Sequence, residues 1–369
     1  MVSQTKNHFS FTKYFSFIYL ILMFFLVGCG SNSPAISTEN IDQVSWLKTY
    51  PVSNLKAWGD VVWSTHENEQ LFVAGSLGDS DGNAVGYVYS WNTNYEDGES
   101  YDWRTMDGKV IFGYPIRSMA LSPDGRRIAL GSYVGVVLIW DMDFLPAEDN
   151  IFYLEGHSEP TIPAVAWSPD GKLLASGGTD KTVRIWNVDS DILTQGSSIE
   201  EVMRFEVTEK INCVSFSPGG ELIVIGTDDG IASINIETQT IVLDVSGDPL
   251  AKLGQSLAWS SDGTMLAVGS LDGKVFVFSF AGDQFDSNTE FHSISTNGSI
   301  VDLDFSPDGK MFVLAFKNSL RIWNLEEKET IRSFSNSNDL YFTSVAWSPD
   351  GRFIATTYTD GTLRIIGVE

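Results

Sequence analysis

A short pattern of apolar and small residues recurs along most of the chain, each time just before a serine. The residue before the serine and the residue three before it are apolar in all seven copies, and the residue between them is mostly small. Such period-two alternation predicts a strand with one packed face. Asp304 departs from the pattern because it places a carboxylate at one of the small positions. The seven serines are Ser64, Ser122, Ser168, Ser217, Ser260, Ser306 and Ser348.

A turn follows six of these strands, because the serine begins the string Ser-Pro-Asp-Gly or a close variant of it. Proline fixes φ, aspartate caps the bend and glycine accepts a positive φ, so the string predicts a reversal between two antiparallel strands. A second apolar run, a second turn, a third run that often ends in Ile-Trp, and a less regular fourth run come next. From Ser122 onward the serines are 42 to 49 residues apart, which indicates a repeated module of four strands.

Four-strand modules at this spacing resemble the WD-repeat β-propeller, and the resemblance covers residues 43–369. It implies an all-β fold, a seven-bladed propeller of four-stranded antiparallel blades. The last module ends straight after its third run, so its fourth strand must come from elsewhere. We expect residues 44–50 to supply it in the last blade, because an open ring would expose an unpaired edge.

The third module carries a side-chain set that the WD-repeat family uses as a hydrogen-bonded tetrad. Its members here are His157, Ser176, Asp180 and Trp186, and the second module has apolar residues at the serine and aspartate positions. An aspartate, an imidazole and a hydroxyl also resemble part of a catalytic relay. We expect the structural role, because the carboxylate and imidazole satisfy each other inside a blade.

The N-terminus has the layout of a secretory signal. Two lysines precede an apolar run at residues 14–27, which ends in Leu-Val-Gly before Cys29. This run is shorter than the roughly 20 residues that span a bilayer. Its ending resembles a bacterial lipobox, which implies cleavage before Cys29 and attachment of acyl chains such as palmitate to it. We therefore expect a signal peptide at 1–28, the lipidated Cys29 with a flexible tether at 29–42, and the propeller at 43–369. An uncut signal anchor and an ordinary secreted protein are the alternatives.

Charge and cysteine content argue against several classes of protein. The 369 residues carry 23 basic against 48 acidic side chains, a net charge of −25, with no basic stripe of the kind that nucleic acid needs. Two cysteines are too few for a disulfide framework or a four-cysteine metal site. Cys213 lies in a first strand and is expected to be a buried, inert thiol.

Reactive groups do not converge in the predicted ring. His66, His157 and His292 belong to different modules, so we expect no metal centre, no cofactor and no catalytic residue. Residues 79–83 could offer oxygens to Ca²⁺, but the twelfth position of that loop is a serine where an EF-hand loop needs glutamate.

Departures from the repeat mark candidate interaction surfaces. An insertion in the first module mixes acids with aromatic rings, and a second aromatic set lies where chain segments enter the modules. Rigid aromatic side chains surrounded by polar residues are typical interface anchors. The alternative is that these side chains merely pack against the loops. The two sets comprise Tyr95, Tyr101 and Trp103, and Tyr114, Tyr341 and Phe342.

These observations predict a non-catalytic scaffold that binds one or more proteins. The lipid would anchor it to a membrane of the cell envelope, outside the cytoplasm, and the propeller itself is expected to be monomeric. One alternative is a propeller-type hydrolase or lactonase, whose carboxylates and metal would converge at the channel mouth. Another is a module that binds carbohydrate or peptide. One fold hosts many functions, so the repeat alone does not choose the partner.

Overall fold

The computed structural model describes residues 34–51, 60–64, 70–78, 84–92, 100–101, 114–142, 150–189, 199–244, 253–281, 284–285, 294–295, 298–336 and 340–368. These ranges contain 29 strands and one 3₁₀ helix, η1 (Ile41–Gln43). None of the helical segments within them has the length and hydropathy to cross a membrane. All of the described residues belong to one unit, Ser33–Glu369.

The strands of the described ranges form seven antiparallel sheets, which we call blades 1 to 7 in chain order. Blade 1 consists of β2 (Asp60–Trp63), β3 (Gln70–Gly78), β4 (Ala84–Asn92) and β5 (Ser100–Tyr101). Blade 2 consists of β6 (Ile116–Leu121), β7 (Arg127–Ser132), β8 (Val136–Asp141) and β9 (Ile151–Glu155). Blade 3 consists of β10 (Ala164–Trp167), β11 (Leu173–Gly177), β12 (Thr182–Asn187) and β13 (Glu201–Glu206).

Blade 4 continues the same order with β14 (Ile211–Phe216), β15 (Leu222–Thr227), β16 (Gly230–Asn235) and β17 (Thr240–Asp244). Blade 5 contains β18 (Leu253–Trp259), β19 (Met265–Ser270) and β20 (Lys274–Ala281), and the short strands β21 (Gln284–Phe285) and β22 (Ile294–Ser295) both pair with β20. Blade 6 consists of β23 (Ile300–Phe305), β24 (Met311–Phe316), β25 (Ser319–Asn324) and β26 (Glu329–Ser335). Blade 7 consists of β27 (Phe342–Trp347), β28 (Phe353–Tyr358), β29 (Thr362–Val368) and β1 (Val44–Pro51).

The blades close into a ring. The first strand of each blade contacts the first strand of the next, and that of blade 7 contacts that of blade 1. A buried apolar cluster lies between each blade and its neighbour around the ring. The prediction of an all-β, seven-bladed propeller is therefore confirmed.

The Ser-Pro-Asp-Gly string folds as its residue types predict. In blade 2 the Ser122 hydroxyl donates to Asp124 Oδ1 at 2.5 Å and accepts from the Arg127 N–H at 2.9 Å. Gly125 takes a φ of +68°, which an L side chain rarely adopts. The same serine–aspartate bond recurs in blades 3, 5, 6 and 7. This turn ends every one of those first strands on the same face of the ring.

The N-terminal strand closes the last blade, as the sequence predicts. β1 pairs antiparallel with β29, and the register places Trp46 opposite Ile366. The Trp46 ring packs edge-on against Phe334, with ring centroids 5.1 Å apart. Arg332 Nη2 donates to the Val44 carbonyl at 2.7 Å, which ties the strand to blade 6.

Packing begins before the predicted start of the propeller at residue 43. Ile36 and Ile41 are buried in the apolar cluster between blades 6 and 7. The Ile36 N–H donates to the Gly351 carbonyl at 2.8 Å, in the Ser-Pro-Asp-Gly turn of blade 7. Apolar burial and a backbone hydrogen bond therefore hold this segment against the ring. Residues 36–41, predicted from the sequence to belong to the flexible tether, thus pack against the ring.

Candidate functional site

A cavity of about 210 Å³ lies at the centre of the ring. Each blade lines it with the same position of its first strand, four residues before the repeat serine, so the cavity surrounds the ring axis. We call these seven residues the hub belt. They are Asp60, Ser118, Ala164, Cys213, Ser256, Asp302 and Ser344.

Irregular pairing beside the hub belt shapes the cavity wall. In blades 2, 4, 5, 6 and 7 the pairing of the first and second strands shifts register just before the belt residue. A bulge of this kind re-aims side chains. The bulge residues that line the cavity are Arg117, Asn212, Gln255, Val301 and Thr343. The cavity therefore lies toward the face of the ring at which the first strands begin.

Asp302 is the most extensively hydrogen-bonded carboxylate of the hub belt. It accepts from the Ser256 hydroxyl of blade 5 at 2.7 Å and from the Ser344 hydroxyl of blade 7 at 2.8 Å. The backbone N–H groups of Leu303 and Val345 each donate to it at 2.9 Å. Burial raises the pKa of Asp302, although all four donors favour its charged form.

Asp60 extends the same network across the junction between blades 7 and 1. Its Oδ1 lies 2.9 Å from Ser344 Oγ and 3.0 Å from the N–H of Val61, and its Oδ2 accepts from the Met119 N–H of blade 2 at 3.2 Å. Burial, followed by the charge of Asp302, raises the pKa of Asp60 to about 6. One hydrogen-bonded chain thus connects blades 5, 6, 7, 1 and 2.

Asp304, the exception to the small positions, joins blade 6 to blade 7. Its Oδ2 accepts from the Trp347 N–H at 2.7 Å. Burial raises its pKa to about 7, and the charge of Asp302 adds to the rise. The carboxylate thus fills a small position by accepting a backbone hydrogen bond from the next blade.

Cys213 faces the cavity from blade 4. Its Sγ–H donates to the Gly254 carbonyl at 3.2 Å, and burial raises the pKa of the thiol above its ordinary value. The protonated thiol is a poor nucleophile. Its contacts agree with the expected structural role.

The tetrad residues of blade 3 form one hydrogen-bonded chain. His157 Nδ1 lies 2.9 Å from Asp180 Oδ1, and His157 Nε2 lies 2.8 Å from Ser176 Oγ. Trp186 Nε1 donates to the same hydroxyl oxygen at 2.9 Å. A neutral imidazole that donates from Nδ1 and accepts at Nε2 satisfies every contact.

The environment of the tetrad favours a neutral imidazole beside an ionised carboxylate. Burial lowers the pKa of His157, so the imidazole is neutral at pH 7. Burial raises the pKa of Asp180, but hydrogen bonds from His157, Ser158 and Thr182 outweigh it and bring the pKa below its ordinary value. The Ser176 side chain is fully buried, so its hydroxyl cannot reach a substrate. In blade 2, apolar Leu130 and Val134 stand at the serine and aspartate positions.

The first aromatic set is only partly placed by the structure. Tyr95 and Trp103 lie outside the described residues, and so do Cys29, His66, His292 and residues 79–83. Tyr101 pairs with Ser90 as part of β5, so it belongs to the outermost strand of blade 1. The structure thus places the backbone of Tyr101 in a strand.

The second aromatic set divides between surface and core. Tyr114 is 38% exposed, and the partly buried Tyr341 ring lies 4.3 Å from Lys317 Nζ. Phe342 is 2% exposed and packs against Tyr358, with ring centroids 4.7 Å apart. Phe342 therefore contributes to the core and is not a surface anchor. Across the described part of the chain, no three His, Cys, Asp or Glu side chains form a group that could hold a metal ion.

A family model places the chain among known propellers. The model described as the IFT122 first beta-propeller matches residues 115–369. The chain belongs to this family. The resemblance to WD-repeat propellers is thereby confirmed. Within the described ranges, the first strand of blade 2 through the third strand of blade 7 lies inside the match.

Relatives of this IFT122-type propeller include several proteins named RACK1. Rice small ribosomal subunit protein RACK1z is 32% identical over 120 residues, which cover 31% of this chain and 34% of the relative. RACK1 of Neurospora crassa is 28% identical over 181 residues, 45% of this chain and 55% of the relative. The chain thus spans between a third and about half of the length of these relatives. A chain from a crystal structure of a mitotic checkpoint complex superimposes with a TM-score of 0.67, covering 88% of this chain and 92% of that one. At 16% identity, this likeness shows the fold alone.

Proposed function

We propose that this chain is a non-catalytic scaffold for protein binding, anchored by lipid on Cys29 to a membrane of the cell envelope and facing away from the cytoplasm. The observation that supports this proposal is that the polar groups of the hub belt and the tetrad are hydrogen-bonded within and between the blades. The carboxylates of the hub belt accept hydrogen bonds from neighbouring blades, and the tetrad is buried within one blade. What remains for a partner is the surface of a rigid ring.

The face at which the first strands begin is the proposed binding surface. Tyr114 is exposed there, Tyr341 lies ahead of β27 of blade 7, and Arg117 is an exposed cation at the cavity wall. Aromatic and arginine side chains are the residue types that dominate protein interfaces. The ring holds them in fixed positions, so a partner would pay little ordering cost on this side.

The lipid anchor rests on the sequence at residues 26–29, where Leu-Val-Gly precedes Cys29 after a short apolar run. Two signals or two chains are needed for firm membrane attachment, since one acyl chain binds only reversibly. A lipidated N-terminal cysteine with several acyl chains meets that requirement.

Labelling tests the anchor. Cells that express the chain are fed a clickable palmitate analogue, and membranes are compared for the wild type and Cys29→Ser. We expect label and membrane retention in the wild type, and loss of the label in the variant with an uncut N-terminus. A Cys29→Ser chain that is processed and retained like the wild type would contradict the proposal.

Crosslinking tests the scaffold. A photoreactive amino acid replaces Tyr114 on the proposed surface, and Ile241, 63% exposed on the outer strand of blade 4, serves as the matched control site. In intact membranes we expect one specific adduct from position 114 that position 241 does not give. Equal adducts from both positions, or none from position 114, would contradict a partner on this face.

The hydrolase alternative predicts carboxylates that converge on the axis. Asp60 and Asp302 do so, but Asp302 accepts four hydrogen bonds from the protein and Asp60 accepts two from backbone N–H groups. Those oxygens would have to give up these bonds before they could bind a metal or a substrate. Metal analysis of the purified full-length chain distinguishes the two functions, since a stoichiometric metal would favour the hydrolase.

A further inference from the structure

Three oxygen atoms meet where blades 6, 7 and 1 adjoin the cavity. Ser344 Oγ lies 2.9 Å from Asp60 Oδ1 and 2.8 Å from Asp302 Oδ2. The Ser344 side chain is buried, and the N–H of Val61 also points at its hydroxyl oxygen, at 3.4 Å. Both carboxyl contacts are within the range of a hydrogen bond between oxygens.

The hydrogen count of this triplet does not balance if both carboxyl groups are ionised. A serine hydroxyl has one hydrogen to donate, and an ionised carboxylate has none. One of the two contacts would then bring lone pairs together at less than 3 Å. A second hydrogen resolves this conflict, because a protonated carboxyl can donate to Ser344 Oγ while the hydroxyl donates onward.

We propose that the hub belt holds one proton between Asp60 and Asp302 through the Ser344 hydroxyl, and that release of this proton weakens the joint between blades 7 and 1. The ring would then contain a proton site at the junction between its last blade and its first blade. The scaffold function does not require a proton site, so this inference is independent of the proposed function.

The surroundings of the two carboxyl groups decide which one holds the proton. Asp302 accepts from four donors, which stabilise its charged form. Asp60 accepts from the N–H groups of Val61 and Met119 and can give its third contact, with Ser344, as a donor. The proton therefore belongs on Asp60. Burial and the charge of Asp302 raise the pKa of Asp60 to about 6, in agreement with this assignment.

Charged and titratable groups of neighbouring blades also interact with Asp60 and Asp302. Arg117 of blade 2 favours the ionised form of Asp60 and opposes the rise in its pKa. Asp304 of blade 6 interacts with Asp302 and has its own pKa raised to about 7, and the Cys213 thiol of blade 4 also interacts with Asp302. Asp304 titrates in the same pH range, so an experiment must separate the two.

The proton lies in one of the hydrogen bonds that join blades 7 and 1. Besides the contact of Asp60 with Ser344, the joint between blades 7 and 1 has a hydrogen bond from Trp63 Nε1 to the Ala346 carbonyl at 3.0 Å. When Asp60 ionises, it can no longer donate to Ser344. The single hydrogen of the Ser344 hydroxyl must then serve both carboxylates, so one of the two contacts is no longer a hydrogen bond. The indole bond remains, so we expect the joint to loosen and not to open.

Unfolding by urea at pH 5 and pH 8 tests the proposal on the full-length chain. The folded pKa of about 6 exceeds the ordinary value of 3.8, so the proton stabilises the fold at low pH and this stability is lost as the pH rises through 6. From these two values, linkage predicts that the unfolding equilibrium constant rises about tenfold between pH 5 and pH 8 on account of Asp60. In Asp60→Asn, whose amide can donate to Ser344 permanently, we expect this tenfold part to vanish.

The readout is the ratio of the two unfolding constants, wild type over variant, because the titration of groups remote from Asp60 cancels in this ratio. Asp262→Asn is the matched control: hydrogen bonds, first from Ser260, lower the pKa of this turn carboxyl, so it stays ionised and its ratio should be constant. A constant ratio for Asp60→Asn across pH 5 to 8 would overturn the proposal.

Infrared spectroscopy provides a second measurement that does not need the Asp60 variant to fold. In an Asp304→Asn chain, which lacks the other carboxyl with a raised pKa near neutrality, we expect a carbonyl band of a protonated acid at pH 5.5. That band should disappear by pH 8. Absence of the band at pH 5.5 would show that both Asp60 and Asp302 are ionised, and the proposal would fail.

Discussion

Two buried serines of neighbouring blades offer a direct test of what the tetrad contributes to stability. Ser176 and Ser233 are both 0% exposed. The Ser176 hydroxyl lies between His157 Nε2 and Trp186 Nε1, whereas Ser233 Oγ has no hydrogen-bond partner among the described residues. Replacing each serine with alanine removes the same atom from equally buried sites. The two substitutions should nevertheless differ in their effect on unfolding.

The expected difference follows from the groups that are left behind. Ser176→Ala leaves the Trp186 N–H and the His157 ring nitrogen buried without a partner, and each such loss costs about 1–3 kcal/mol. Allowing for partial relaxation, we expect a loss of about 2–4 kcal/mol in the free energy of unfolding. Ser233→Ala removes a hydroxyl that gains nothing from burial, so its effect should be about zero or slightly stabilising.

Urea unfolding of the full-length chain, followed by circular dichroism, measures both changes at pH 7.5. The midpoints should fall clearly for Ser176→Ala and stay near the wild-type value for Ser233→Ala, with similar slopes in all three chains. Equal shifts for the two variants would refute the reasoning. The cost would then come from the lost volume alone, and the hydrogen bonds of the tetrad would contribute nothing measurable.

Three further predictions concern backbone fit, ring closure and pH. Gly254→Ala should lower the melting temperature clearly more than Gly298→Ala, because an added Cβ at the first glycine would lie 2.6 Å from a backbone nitrogen and at the second meets nothing within 4 Å. Arg332→Met should speed hydrogen exchange in β1, since Arg332 bonds the Val44 carbonyl. Relative to His157→Gln, the wild type should lose stability to urea as the pH falls below 6.5, because burial lowers the pKa of the folded His157.

The repeat pattern predicted the architecture because every blade solves the same packing problem. Large apolar residues at alternate positions and a turn with fixed chemistry specify a hairpin wherever they occur. The closing strand could be predicted because the last module lacks a fourth strand and 44–50 was an unassigned segment with strand character. These arguments need only local sequence and a count of strands.

The hub belt was missed because its meaning depends on seven distant segments that meet at one axis. Asp60 and Asp302 occupy the same position of their modules, so aligning the copies on the repeat serine would have placed two carboxylates in one ring. The same alignment would have assigned Phe342 to the core and not to the surface. Phe342 lies two residues before the belt residue of blade 7, and the residues at this position in blades 2, 4 and 6 are the buried Ile116, Ile211 and Ile300.

The proton on Asp60 could not be predicted from any sequence pattern. It depends on the distances of one hydroxyl from two carboxyl groups, contributed by blades 1, 6 and 7. Asp304 was recognised as an exception, but its partner, the Trp347 N–H, lies 43 residues away in the next blade. Contacts of this kind arise from the ring and not from the repeat.

The attachment of Ile36 to the blade 7 turn determines on which face of the ring the N-terminal segment lies. The Gly351 turn follows the end of a first strand, whereas Tyr114 and the central cavity lie where first strands begin. Residue 36 is therefore held on the face of the ring opposite the exposed Tyr114 and Arg117, so the N-terminal segment and the proposed partner would not compete for one surface.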